Sequence, residues 1–175
     1  RSLVEMSYNF SRVNVLVVES TTEMFRLFKS VLSMLTVPDR NICAAYSAEE
    51  GYETFQNKNH DIIITDWLEN PDKGIELIKT IRTDERSPNL FVPIIMTAGS
   101  GHISRVLRSR DAGVSEYLVK PFSAEVLASR ISRVIENPRQ FVVGESFTGP
   151  DRRIKPKPIS FECRRKVEQV VETER

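Results

Sequence analysis

Four places in this 175-residue chain put a reactive side chain directly after an apolar run. Val13 to Val18 is followed by Glu19-Ser20, and Ile62 to Thr65 is closed by Asp66. Phe91 to Met96 leads into Thr97, and Ser115 to Val119 leads into Lys120. An apolar, β-branched run ending in a polar group reads as a buried parallel strand delivering that group to the sheet's carboxyl edge. Open α/β sheets bind ligands at that edge. Carboxylates there suit Mg²⁺, while an ammonium and a hydroxyl suit phosphoryl oxygens. In such a set Asp66 would be a nucleophile that forms an aspartyl phosphate. Singly, each residue has a plainer reading: Asp66 a strand-end acid, Thr97 a strand-end hydroxyl, Lys120 a solvated lysine, and Tyr117 a half-buried sheet aromatic.

The elements between these ends must bring them together. The first strand, Val13 to Val18, is followed by a helix from about Glu23 to Leu35. Thr21 or Thr22 can cap it, and Phe25, Phe28, Val31, Leu32 and Leu35 recur at three- and four-residue spacing. A second strand over Asn41 to Tyr46 precedes Ser47-Ala48-Glu49-Glu50, a capping-box pattern opening a helix to about Asn57. The Asp66 strand leads to a helix from Gly74 to Arg82. Phe91 to Thr97 leads to a polar helix over His102 to Ala112, ended by Gly113. Ser115 to Val119 leads to a helix capped by Ser123 and running to Glu136. Five βα units with short connections imply an α/β fold, a five-stranded parallel sheet with helices on both faces.

Composition narrows the classes. The chain is 40% hydrophobic and 28% charged, as in a globular protein, and no apolar run approaches a membrane span. Residues 1–136 hold 16 basic and 18 acidic side chains (net −2), and residues 137–175 hold 9 and 6 (net +3). The body is therefore not a nucleic-acid binder by charge. Cys43 and Cys163 lack metal-type spacing; Cys43 reads as packing, and a reducing, cytoplasmic setting is expected. There is no Ser-His-Asp arrangement, P-loop or zinc pattern. His60 and His102 read as satisfied or solvated, and Trp67 as a packing or surface residue.

With these residues in place the chain resembles a response-regulator receiver domain of two-component signalling over residues 12–136. The marks are Glu19 after the first strand, Ile63-Ile64-Thr65-Asp66-Trp67, Gly74 eight residues after Asp66, Met96-Thr97-Ala98, and Tyr117-Leu118-Val119-Lys120-Pro121-Phe122. The resemblance implies a flavodoxin-like receiver fold and a phosphoprotein rather than an enzyme, whose only chemistry is its own phosphotransfer and autodephosphorylation. It implies Asp66 as phosphoacceptor, Lys120 as the phosphoryl contact before a cis Lys120-Pro121 bond, Thr97 as the switch hydroxyl, and Tyr117 as the switch aromatic. It also implies an Mg²⁺ site built from Glu19, Asp66 and the backbone carbonyl of Leu68. Implied partners are a histidine kinase or phosphotransfer protein and a downstream protein, met through a face running from the fourth helix to the fifth strand and helix.

One position departs from that pattern. Receivers place two acids after the first strand, and here Ser20 stands at the second, a usual ligand position. Mg²⁺ binding is expected to be weakened, because the ion demands near-octahedral oxygen geometry. Two functions follow: a phosphorylation-controlled receiver, or a pseudo-receiver interaction module that works without phosphate. Residues 137–175 form an extension too small for its own core, with a short strand at Phe141 to Val143, an extended Lys155 to Pro158, and an amphipathic helix from Ser160. It reads as a solvated tail, a docking or homodimerisation segment, or, least favoured, a phosphate-contacting basic tail. Residues 1–11 form an N-terminal segment in which Arg1 to Glu5 read as a remnant ahead of a native start at Met6.

Overall fold

The computed structural model describes residues 9–68, 72–99 and 101–152, and the backbone of 169–171. Strands β1 (Val15–Val18), β2 (Ile42–Ala45), β3 (Ile62–Asp66), β4 (Ile94–Ala98) and β5 (Glu116–Val119) form one parallel sheet in the order β2-β1-β3-β4-β5. All residues of β1 and β4 are buried, which is why they read as unbroken apolar runs rather than alternating ones. Alternate residues feed two cores. Leu16, Val18, Ile63 and Met96 pack with Phe55, Leu77, Ile78 and Ile81 of helices α2 (Ala48–Asn57) and α3 (Lys73–Thr83). Val15, Val17, Ile62, Ile64 and Ile95 pack with Phe28, Leu32, Leu127 and Ile131 of α1 (Thr22–Met34) and α5 (Ala124–Glu136).

Helix starts follow local chemistry. Thr21, Ser47 and Ser123 each accept a backbone N–H three residues on, capping α1, α2 and α5. Helix α4 (Ile103–Ala112) ends at Gly113, which has φ +103°. Helix α3 starts differently. Asp72, at its N-cap, has φ +59° and makes no capping bond, leaving its carboxylate for other partners. A Cβ on Gly74 would lie 2.4 Å from the Asp66 carbonyl oxygen, so only glycine lets α3 begin this close to the end of β3. Strand β4 starts at Ile94 rather than at Phe91. Asn89 accepts the Phe91 N–H in a turn, and Pro93 has no N–H for the ladder.

After α5, Phe141–Val143 (β6) pairs antiparallel with Thr148–Pro150 (β7). This hairpin packs beneath the amino ends of β4 and β5. The Phe141 ring meets Phe91 edge-on at 5.2 Å, and Gly149 lies against Gly113. Gln169–Val171 form a strand, β8, paired with the other side of β6, where a helix was expected from the sequence. Adjacent β-branched Val170 and Val171 suit strand pairing, and so short an apolar run fits either period. The Lys155–Pro158 segment, most of the expected final helix, Cys163 and the N-terminal Arg1 to Glu5 lie outside the described residues.

Candidate functional site

The four polar strand ends converge. Glu19 follows β1, Asp66 ends β3 and Lys120 follows β5, while Thr97 lies opposite Asp66 in the β3–β4 register. The Lys120 ammonium donates to Asp66 Oδ1 at 2.9 Å and to Glu19 Oε2 at 3.1 Å, bridging the two carboxylates. Its backbone is set by a bond from the Lys120 N–H to the Ala98 carbonyl, and the Lys120-Pro121 peptide is cis. The other Asp66 oxygen accepts the Leu68 N–H at 3.2 Å. This order of strands reverses direction between β1 and β3, and Glu19 and Asp66 stand at that crevice, where doubly wound sheets bind ligands.

Glu19 is 2% exposed. Burial, and then the neighbouring Asp66 charge, push its carboxyl above the usual range, with Lys120 pulling the other way. For Lys120, burial lowers the ammonium, but the bonds and charges of Asp66 and Glu19 outweigh it and hold it above its ordinary value. Thr97 is wholly buried, and its hydroxyl has no hydrogen-bond partner among the described residues. A buried hydroxyl without a partner costs stability, so it marks a place where a ligand atom would be accepted.

The arrangement suits a hard cation. Two carboxylates meet at the pocket around one ammonium, and one of them is buried. Mg²⁺ is held by as few as one or two carboxylates, with water completing its shell, so Glu19 and Asp66 fit it. Ser20 is exposed, and its N–H donates to Glu19 Oε1 at 3.1 Å with the hydroxyl 3.5 Å from the same oxygen. It braces Glu19 and brings no charge of its own. The Leu68 carbonyl already accepts the Lys73 N–H, and Leu68 sits at φ +52°. Tyr117 is half-buried on β5, its hydroxyl raised by burial and lowered in part by Arg105.

A second cluster lies beside the first and was not legible in the sequence. Trp67 is buried; its indole N–H donates to Asp72 Oδ1 at 2.8 Å, and its backbone N–H donates to the Thr97 carbonyl at 3.0 Å. Arg105 and Arg108 of α4 lie over its ring at 4.7 and 5.6 Å, and Arg108 also pairs with Asp72 at 2.6 Å. The only sequence signal was the three-residue spacing of the arginines, which puts them on one helix face. His60 is neither satisfied nor solvated as expected. It is buried beside Phe55 of α2, with no hydrogen-bond partner on either ring nitrogen among the described residues.

A five-stranded parallel sheet with an acid, a hydroxyl and a lysine at one edge defines a receiver-type signalling fold. A response regulator receiver domain model matches residues 15–132, and the chain belongs to this family. It is 33% identical over 127 residues to the chemotaxis protein CheY1 of Helicobacter pylori, covering 70% of this chain and 97% of that one. It is 30% identical over 124 residues to the chemotaxis protein CheY of Pseudomonas aeruginosa, covering 71% and 97%. Among solved structures it is similar to a putative response regulator from Chloroflexus aurantiacus, with TM-score 0.64, 25% identity and coverage of 71% and 98%. Chemotaxis response regulator CheY4 of Vibrio cholerae shares the fold at TM-score 0.61, 24% identity and coverage of 70% and 98%. No described helix is long and apolar enough to cross a membrane.

Proposed function

We propose that this chain is a phosphorylation-controlled receiver whose phosphoacceptor is Asp66. The observation that carries this is the Lys120 ammonium bridging Asp66 and Glu19 beside the unpartnered Thr97 hydroxyl. An Asp66 carboxylate oxygen attacks phosphorus of a phosphohistidine on a histidine kinase or phosphotransfer protein. The new O–P bond forms as the P–N bond breaks, and the electron pair leaves with the imidazole, which takes up a proton. Lys120 then exchanges a carboxylate partner for a phosphoryl oxygen, and Thr97 donates its hydroxyl to another. Mg²⁺, when bound by Glu19, Asp66 and the Leu68 carbonyl, supplies positive charge against the phosphoryl oxygens. Ser20 replaces the second acid of the family pattern, so this site is weaker than the family's.

The added charge of roughly −1.5 to −2 gives the Thr97 hydroxyl a partner and Lys120 a new one in place of a carboxylate, which biases their loops between two arrangements. Tyr117 is the aromatic that follows Thr97. The face from α4 through β5 to α5 exposes Ile103, Leu107, Val119 and Val126, and it is where we place contact with a downstream protein. The named relatives are chemotaxis proteins, and regulation by protein contact is the reading extended to this chain.

Trp67 is the only tryptophan and lies next to Asp66, so it reports on the pocket. Its fluorescence should change on adding Mg²⁺ and again with acetyl phosphate or beryllofluoride, and the mass should rise by one phosphoryl group with acetyl phosphate. Asp66→Asn should abolish both phosphoryl-dependent changes. Ser20 favours the pseudo-receiver reading, and that reading wins if the parent and Asp66→Asn prove indistinguishable. Ser20→Asp should tighten Mg²⁺ by about tenfold, or 1.4 kcal/mol.

A further inference from the structure

Helix α4 is fastened at both ends by an arginine on an aromatic ring. At its start, Arg105 and Arg108 cover Trp67, and Asp72 holds both the indole N–H and Arg108. At its end, Asp111 accepts from Arg152 at 2.9 Å, and the Arg152 guanidinium lies 4.0 Å over Phe147 in the β6–β7 hairpin. Just past the helix, a Cβ on Gly113 would lie 2.7 Å from the Thr148 carbonyl oxygen, and one on Gly149 would lie 2.8 Å from the Gly113 Cα. Hairpin and helix end are thus seated backbone to backbone, with no side chain between them to absorb a shift.

We propose that α4 couples the Asp66 pocket to the C-terminal hairpin, so that the state of Asp66 changes how firmly residues 141–150 are held. The Trp67 backbone N–H is bonded to the carbonyl of Thr97, the residue whose hydroxyl gains a partner when a phosphoryl group arrives. A movement of Thr97 therefore moves the ring on which the arginines of α4 rest. A ten-residue helix is a rod about 15 Å long, and packed contacts re-seat rather than stretch. Reseating at the Trp67 end is felt at the Gly113–Gly149 contact. Linkage is reciprocal, so the hairpin's seating also sets the affinity of the pocket. The coupling rests on the phosphoacceptor reading of Asp66.

The test uses the full chain with Mg²⁺ and beryllofluoride, reading affinity from Trp67 fluorescence and hairpin order from amide hydrogen exchange over residues 141–150. Saturable binding should change hairpin exchange by at least about fivefold, the low end of ordinary coupling between sites. In Arg108→Ala beryllofluoride should still bind while the hairpin response disappears. Gly149→Ala, or Asp111→Asn should the former fail to fold, should shift beryllofluoride affinity by a similar factor. Saturable binding with unchanged hairpin exchange and unshifted affinity in the far-end variants would overturn the coupling and leave the phosphoacceptor standing. Absence of binding in the parent would overturn both.

Discussion

The two edges of the central sheet each bury a charged residue, and they compensate it in opposite ways. At the carboxyl edge, Glu19 and Asp66 share one lysine, and the Thr97 hydroxyl has no partner among the described residues. At the amino edge, Arg82 is buried with no acid paired to it among the described residues. Its Nε donates to the Gly113 carbonyl at 3.0 Å and its Nη1 to the Leu90 carbonyl at 2.6 Å, while Phe141 faces the guanidinium at 5.0 Å. Burial lowers this guanidinium to about 9, still protonated at neutral pH. Carbonyls and a ring make a fixed socket whose partners do not change. Carboxylates and a mobile ammonium make a set whose partners can be exchanged. The first holds the fold together, and the second is what a switch requires.

Asp66→Asn removes the proposed nucleophile and should abolish phosphoryl incorporation from acetyl phosphate altogether while the protein stays folded, as read by mass spectrometry and circular dichroism. The equivalent lesion at the other edge should do the reverse. Arg82→Ala strands two carbonyls and opens a cavity beneath the hairpin, at a cost of about 3 kcal/mol in denaturant unfolding. Arg82→Met refills most of that volume and should recover part of the loss. Phosphorylation at equal folded fraction should survive both.

Thr97→Val is a finer cut. It replaces a buried, unpartnered hydroxyl by a methyl group of the same shape, so unfolding free energy should stay level or rise by up to about 1 kcal/mol. The Trp67 response to beryllofluoride should be blunted in the same variant. Loss of stability on this substitution would show that the hydroxyl is already satisfied and that the carboxyl edge is no less fixed than the amino edge.

What the sequence disclosed follows the same division. Strands buried on both faces are continuous apolar runs, so β1, β3 and β4 and the residues ending them could be read directly. Serine and threonine caps are local chemistry and were equally visible. Arg82 was not, because nothing within α3 says that the chain after α5 returns to cover it. The Trp67 clasp needed the relative placement of α3 and α4. Val170 and Val171 suit a helix face as well as a strand, and their partners in β6, Val142 and Phe141, lie 28 and 30 residues away in the chain. Tertiary partners decide such positions, and local spacing does not record them.

His60 offers the smallest effect. It precedes β3 at the amino edge, buried and with no hydrogen-bond partner on its ring among the described residues. Burial, and then the charge of Lys58, lower its imidazole below the ordinary value near 6.5, with the Lys58 backbone and Asp61 opposing in part. Above that value both folded and unfolded chains hold it neutral. As pH falls through about 6.5 the unfolded chain takes up a proton that the folded chain refuses, so stability is lost, at a slope of at most about 1.4 kcal/mol per pH unit, until the folded imidazole also titrates. His60→Leu removes the titrating group and the two orphaned nitrogens together. Unfolding followed between pH 7 and pH 5 should therefore be flatter in the variant than in the parent, with the two closest at pH 7. Parallel curves would mean that water or a neighbour already satisfies the imidazole, and that the amino edge does not respond to pH across this range.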